Sequence, residues 1–174
     1  MTEEVKRNYL EINSLQDLIE GNKPSEDYSL SLIDPINFQL NKYFYKNIGK
    51  NHKWVDRLTW SEEKWISYVS NESVKSYVFK FNDDLVGFFE LIFHPEKNET
   101  EIAYFGILEE YQNKKLGSYL LSEAIKKSFK NKVNRVWVHT CSLDHKNALN
   151  NFILWRQIVL ILKIKMIRVR IKKT

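Results

Sequence analysis

The sequence has little cysteine and no long apolar run. Cys141 is the single cysteine in 174 residues, so no internal disulfide can form, and a reducing, cytoplasmic setting is expected. The charged start, Met1 to Arg7, is followed by no apolar stretch of the kind that marks a signal peptide. The longest apolar run, Ile158 to Leu162, falls far short of the roughly 20 residues that cross a bilayer, so a soluble chain with no membrane partner is expected. No internal repeat is present. Acidic residues are missing from one region: residues 146 to 174 hold eight Lys or Arg and no Asp or Glu. The net charge of +5 belongs to that tail, because the first 145 residues carry nineteen basic against twenty-two acidic side chains, or −3. A body of that sign argues against a nucleic-acid partner.

What the chain does contain is enough apolar surface for one domain. At 174 residues with 14% aromatics, it buries a substantial core without disulfides or metal. Tyr9 to Ile12 reads as the end of a first strand, Ser14 to Ile19 as a short helical turn capped by Ser14, and Asn22 to Ser31 as a loop. Phe38, Leu40, Phe44, Tyr45 and Ile48 place an amphipathic helix over Asn37 to Ile48, ended by Gly49. Ser61 caps a second helix, with Trp65, Ile66 and Val69 as its apolar stripe. Ser76 to Phe81 and Leu85 to Phe93 are strands joined by the three-residue turn Asn82-Asp83-Asp84, and Pro95 to Asn98 turns the chain again. Glu101 to Leu108 is the next strand, Leu116, Leu120, Leu121 and Ile125 recur at helical spacing behind it, and Arg135 to Cys141 is another strand. Strand, helix and strand make a βαβ unit, so these two strands are expected to be parallel neighbours.

The link between them carries chemistry. Gln112 to Ser118 is a short polar loop with one glycine. A helix that starts on such a loop turns its unsatisfied N–H groups and positive dipole end into the crook, ready for phosphate. Gln112, Leu116 and Gly117 together resemble the acyl-CoA signature of the GNAT superfamily of N-acetyltransferases, in which a strand leads into a loop of form (Q/R)-x-x-G-x-(G/A). Lys115 stands where that family has its first glycine, and Glu109 where many members have proline. Lys115 either crowds the pyrophosphate or replaces backbone contacts by pairing with it. His139 to Phe152 is a second match, resembling the family's fifth strand and the start of its fourth helix. Asn147 holds the position that commonly contacts the pantetheine arm, although Asp144 and Asn147 read equally well as helix caps.

The resemblance covers about residues 4 to 152. It implies an α/β fold with a mixed, mostly antiparallel sheet, helices on both faces, and parallel strands four and five splayed apart to admit the cofactor, in a domain over residues 1–156. It also implies acetyl-CoA as co-substrate, no metal, and a small-molecule or peptide amine as acceptor, with the oligomeric state open between monomer and homodimer. Cofactor contacts fall on Ile107, Leu108, Gln112, Asn113, Lys114, Lys115, Leu116, Gly117, Ser118 and Asn147. A backbone N–H near Ile107 or Leu108, freed by a bulge, is the expected oxyanion donor. Glu101, directly before the splayed strand, is the expected general base; Glu90 is the second candidate, as base or as a partner of the acceptor ammonium. Trp54, Asp56 and Trp60, with Arg57 among them, either cover the core edge or wall the acceptor pocket. His139, His145 and Cys141 show no zinc-like spacing and are read as structural. The family's usual tyrosine acid is replaced by Phe152.

Residues 157–174 depart from this pattern. Leu162 to Met166 and Ile167 to Ile171 alternate apolar with basic, with a slip at Met166-Ile167. That is either an edge hairpin or, the preferred reading, the product of a reading-frame shift in an AT-rich gene. Two readings other than an enzyme stand beside the acetyltransferase: a non-catalytic acyl-CoA-binding module, motivated by Lys115 and Phe152, and a nucleic-acid or anionic-membrane binder acting through the tail.

Overall fold

The computed structural model describes residues 2–142, 144 and 161–170. Seven strands form one sheet: β1 (Thr2–Ile12), β2 (Tyr28–Leu32), β3 (Val74–Phe81), β4 (Asp84–His94), β5 (Glu99–Ile107), β6 (Arg135–Cys141) and β7 (Ile161–Arg170). Their spatial order is β2-β3-β4-β5-β6-β1-β7, and β5 with β6 is the one parallel pair, as the βαβ reading requires. Three helices accompany them among the described residues: α1 (Phe38–Gly49), α2 (Glu62–Val69) and α3 (Leu116–Phe129). The caps read from the sequence are in place, with Ser14 accepting from the Gln16 amide at 3.2 Å and Ser61 from the Lys64 amide at 3.3 Å. Asn37, not read as a cap, accepts from the Leu40 amide at 3.0 Å.

Period-two alternation sorts the strands onto two faces. On one face Leu91 and Phe89 of β4, Ile102 of β5, Val136 and Val138 of β6, and Leu10 and Ile12 of β1 pack under Leu120, Leu121, Ala124 and Ile125 of α3. On the other face α1 lays Phe44 flat on Phe88, with ring centres 4.9 Å apart and planes 3° apart. Adjacent residues Phe88 and Phe89 thus serve opposite layers.

Four expectations from the sequence are corrected. Tyr28 to Ser31, expected in a loop, belong with Leu32 to an edge strand on β3, where Tyr28 packs on Phe79 and Phe81 across the ladder, 5.4 and 4.8 Å between centres. The parallel pair is therefore the fifth and sixth strands in chain order. β1 begins at Thr2 and lies between β6 and β7, so both of its edges are paired over a long span. The turn between β3 and β4 is two residues, since Asp84 already pairs with Phe81, and Asn82 takes the left-handed conformation (φ 49°) that such a turn demands. Residues 161–170 form one strand along β1, with no break at Met166-Ile167; the register shift comes where Tyr9 pairs with Lys163 and Leu10 with Ile161, so the extra residue is Leu162 of β7.

The parallel pair parts early. β5 and β6 are paired only from Glu99–Arg135 to Ile102–Val138, although both strands run on. The paired end is clamped by Arg135, which donates to Glu99 and to Glu11 of β1, both at 2.7 Å, while the Trp137 indole N–H donates to Glu99 at 3.1 Å. Beyond Ile102 and Val138 no ladder bridges the two strands, and the gap opens toward the start of α3.

Candidate active site

The crook between β5 and α3 is built from backbone. Leu116 is buried in the core and anchors the first turn of α3. Leu116, Gly117 and Ser118 belong to the helix, so their N–H groups are those left without intrahelical partners. Ser118 turns its hydroxyl back onto the Lys115 carbonyl at 3.0 Å. A Cβ placed on Gly117 meets nothing within 4 Å, so the small residue is not required by packing inside the protein; the space above it is left for something else. Gln112 donates to the Ile107 carbonyl at 3.3 Å and closes the crook from below. Asn113 (φ 61°) and Lys115 (φ 59°) both take left-handed backbone, and Lys115 is the residue preceding the helix. The family glycine it replaces is thus a conformational loss as well as a steric one. Asn113, Lys114 and Lys115 are exposed, and the Lys114 ammonium sits 4.6 Å from the centre of the Tyr111 ring. Glu109 reaches Lys50 and Asn51, each at 3.4 Å, tying the crook to the end of α1.

The strand amides divide differently from the expectation. The bulge in β5 lies at Ala103, where Glu90 pairs with Tyr104 but Leu91 with Ile102, not near Ile107. The Leu108 N–H is not free either, since it donates to the Val86 carbonyl at 2.8 Å. Successive amides of a strand point to opposite sides, so the Ile107 N–H faces the side that β6 has left. The bulge has its own consequence. Residues three apart on a strand face opposite ways, but the extra residue at Ala103 brings Glu101 and Tyr104 onto one face.

On that face two carboxylates meet different fates. Glu90 is 1% exposed; it takes Arg57 Nη2 at 3.0 Å and Nη1 at 3.3 Å, the Tyr68 hydroxyl at 2.5 Å and Asn41 at 3.5 Å. Burial pulls the Arg57 pKa down, but the Glu90 carboxylate outweighs it and holds the guanidinium charged. Arg57 also lies against the rings of Tyr68, Tyr104 and Trp60, 4.0, 4.2 and 4.9 Å from their centres. Glu90, read from the sequence as second candidate base or ammonium partner, is engaged on all sides in this structure and neutralises Arg57.

Glu101 is 16% exposed and has one close partner, His94 Nε2 at 3.2 Å, with His139 Nδ1 at 3.9 Å. Burial raises its pKa above the usual carboxylate range, and His94 partly offsets this. Burial, then Arg7, pushes the His139 pKa down to about 4, so that ring is neutral at physiological pH. His94 was missed by the sequence reading. The signal was there: Glu90, Ile92 and His94 share a face of β4 by alternation, and the Pro95–Asn98 turn folds His94 back against the start of β5.

The remaining predicted positions separate. Trp54 packs edge-on against Tyr104, 4.8 Å between centres, and fills the space over Gly49, where a Cβ would come within 2.5 Å of Trp54 Cβ. Trp60 roofs Arg57 and Trp65, and Asp56 is exposed. Asp144 accepts from Thr140 Oγ1 at 2.8 Å and the Cys141 amide at 2.7 Å, closing the end of β6. Asn147, His145 and Phe152 lie outside the described residues. Among the described residues no group of three or more His, Cys, Asp or Glu could hold a metal ion, and no helix is long and apolar enough to cross a membrane.

A βαβ unit whose parallel strands part over a helix N-terminus, flanked by a half-buried carboxylate, is matched by a family model. The model for the acetyltransferase (GNAT) family fits residues 38–152. The chain belongs to the GNAT acetyltransferase family. No curated protein matches it in sequence. Among solved structures, a GCN5-related N-acetyltransferase from Sphaerobacter thermophilus superposes with a TM-score of 0.64 at 13% identity, over 95% of this chain and 49% of that one. This chain thus spans about half the length of that relative. An aminoglycoside acetyltransferase from an uncultured soil metagenomic sample, solved with trehalose, gives 0.63 at 9% identity over 87% of this chain and all of the other. Spermidine N-acetyltransferase from Vibrio cholerae, solved with CoA and spermine, gives 0.54 at 17% identity over 66% of this chain and 71% of that one. At such identities the GNAT likeness to these structures concerns the fold.

Proposed function

We propose that this GNAT protein transfers an acetyl group from acetyl-CoA to the primary amine of a small molecule or peptide, with Glu101 as general base. The observation that carries this reading is the contrast on one sheet face: Glu101 is half-withdrawn from water beside the opened strand gap with a single close partner, while Glu90 is fully engaged. Acetyl-CoA supplies the acyl group, and its C–S bond breaks as the C–N bond to the amine forms. The amides of Leu116, Gly117 and Ser118, with Lys114 and Lys115 beside them, hold the pyrophosphate; the open space over Gly117 fits a phosphate approaching the backbone closely. The Ile107 N–H, on the opened side of β5, stabilises the carbonyl oxygen as charge develops on it. Glu101 takes the proton that the amine loses, and His94, 28% exposed, passes it toward solvent. Trp54 and Tyr104 form the wall nearest the acceptor, with exposed Asp56 at its rim attracting a cation. The departing thiolate needs no dedicated acid, since a thiol pKa of roughly 8.5 makes it a tolerable leaving group.

The test is thiol release by purified protein given acetyl-CoA and a panel of amines spanning polyamines, aminoglycosides and peptide N-termini. Turnover with at least one amine is expected, together with a melting temperature that rises with CoA concentration. A folded protein with no thermal shift at millimolar CoA overturns the cofactor reading; a shift without turnover on any amine leaves a binding module in place of the enzyme.

A further inference from the structure

Glu101 faces two imidazoles, and the two contacts are unlike. Oε2 stands 3.2 Å from His94 Nε2, within hydrogen-bond reach, whereas Oε1 stands 3.9 Å from His139 Nδ1. The last bridge between β5 and β6 joins Ile102 to Val138, so His139 is the first residue of β6 beyond it and sits where the strands part. Trp137, the ladder partner of Glu101, lies two residues earlier, so His139 shares the face of Glu101. Its ring is fixed by packing: it stacks on Tyr9, with 5.9 Å between centres and 24° between planes, and lies 6.3 Å from the Trp137 ring.

His139 Nδ1 is buried and has no hydrogen-bond partner. No ligand atom reaches a nitrogen so enclosed, so whatever satisfies it comes from the chain, and the carboxylate it faces is Glu101. An imidazole N–H aimed at an ionised carboxylate closes to about 2.7–2.9 Å. The separation of 3.9 Å fits two acceptors held apart, with the imidazole proton on Nε2. Burial and Arg7 keep the ring neutral, so it carries one proton and not two. The titratable and charged groups around the pair are His94 and Glu90 of β4, Arg57 ahead of α2, Arg7 and Tyr9 of β1, and Asp144 after β6. Glu90 and Arg57 already neutralise one another.

Resting on the reading of Glu101 as the base, we propose that His139 is a positioning residue for acetyl transfer: when Oε1 takes the amine proton, the new carboxyl O–H donates to His139 Nδ1, which holds the protonated carboxyl at the strand gap. The proton stays on Glu101, the amine nitrogen bonds to the acyl carbon, and the thiolate leaves with the C–S electron pair. Glu101 becomes a better base, because its acid form gains a hydrogen bond that its ionised form lacks. His94, at the other oxygen, remains the way out for the proton.

The pH profile of kcat/KM in His139→Phe and His139→Asn tests this. Phenylalanine keeps a ring on Tyr9 without an acceptor, whereas the asparagine carbonyl takes the place of Nδ1. In His139→Phe the acid limb is expected to move down by about one pH unit and kcat to fall roughly threefold to tenfold, with the KM for acetyl-CoA unchanged. His139→Asn should recover most of the shift. A histidine with only a packing role would change activity or stability without moving the limb. NMR titration of the Glu101 carboxyl in the substrate-free chain should show the same downward shift, independently of turnover. Absence of turnover on every amine would overturn the acetyl-transfer reading and this role with it. With turnover intact, a Glu101 titration that stays put or moves up in His139→Phe, or a His139 ring that carries its proton on Nδ1 by nitrogen NMR, would overturn the role alone.

Discussion

Glu90 and Glu101 lie on adjacent antiparallel strands and on one face of the sheet, both largely withdrawn from water, at 1% and 16% exposure. Yet Glu90 is held by Arg57, Tyr68 and Asn41, and Glu101 by one histidine. Burial alone does not make a base. Glu90 has its lone pairs taken by a guanidinium and a phenol, whereas Glu101, desolvated and thinly bonded, is pushed toward accepting a proton. The difference separates a carboxylate locked in a buried network from one left with a single close partner.

The largest test of that contrast is Glu101→Gln, which should lower turnover by roughly 10² to 10⁴ fold with CoA binding nearly intact. The Glu101 pKa is raised, so the acid limb of kcat/KM should lie above the ordinary carboxylate range, with turnover falling as pH drops through it. The same raised value means that burial of the ionised group costs stability once pH passes above it. Glu101→Gln should therefore be at least as stable as the parent at neutral pH. Full activity in Glu101→Gln and loss in Glu90→Gln would reverse the two assignments.

Glu90 should reveal itself through folding. Glu90→Leu strands the Arg57 charge in its aromatic cage and should cost about 3–5 kcal/mol in urea unfolding, whereas Glu90→Leu with Arg57→Met should cost clearly less than the sum of the single changes. Additive losses would mean that the pair is not the unit described.

A smaller effect concerns His139, on the Glu101 side. Its folded pKa, about 4, lies below the ordinary 6.5, so the unfolded chain binds the extra proton between those values and stability falls as pH drops through that window. His139→Gln should flatten the pH dependence of the urea midpoint between about pH 6.5 and 4. An unchanged slope would place the acid sensitivity elsewhere. Smallest of all, Lys115→Gly should stabilise the fold by about 0.5–1 kcal/mol by relieving left-handed backbone. Comparing its CoA affinity with that of Lys115→Met separates crowding from phosphate pairing: if the ammonium pairs with phosphate, only the removal of charge weakens binding in both variants.

The legible parts of the molecule were local ones. The β5–α3–β6 unit, α1 by its periodicity, α2 by its Ser61 cap and the β4–β5 turn were readable because periodicity, caps and turn residues act within a few positions. The edge strand β2 was not, because Tyr-Ser-Leu-Ser-Leu is short and is held by rings on β3. The full length of β1 was not, because its charged first residues become strand only between β6 and β7. Glu101 was singled out at the edge of the predicted strand but lies inside β5, paired with Trp137; its partner His94 was half-legible by alternation and was overlooked.

The sequence by itself determined that a strand, a short polar loop and a helix follow one another from Glu101 to Phe129, since those signals are short-range consequences of residue type. Tertiary structure alone decided that Arg57, thirty-three positions away in the chain, pairs with Glu90 and that one extra residue at Ala103 puts Tyr104 on the face of Glu101. Pairing, register and burial are properties of what lies across the sheet, and no window along the chain contains them.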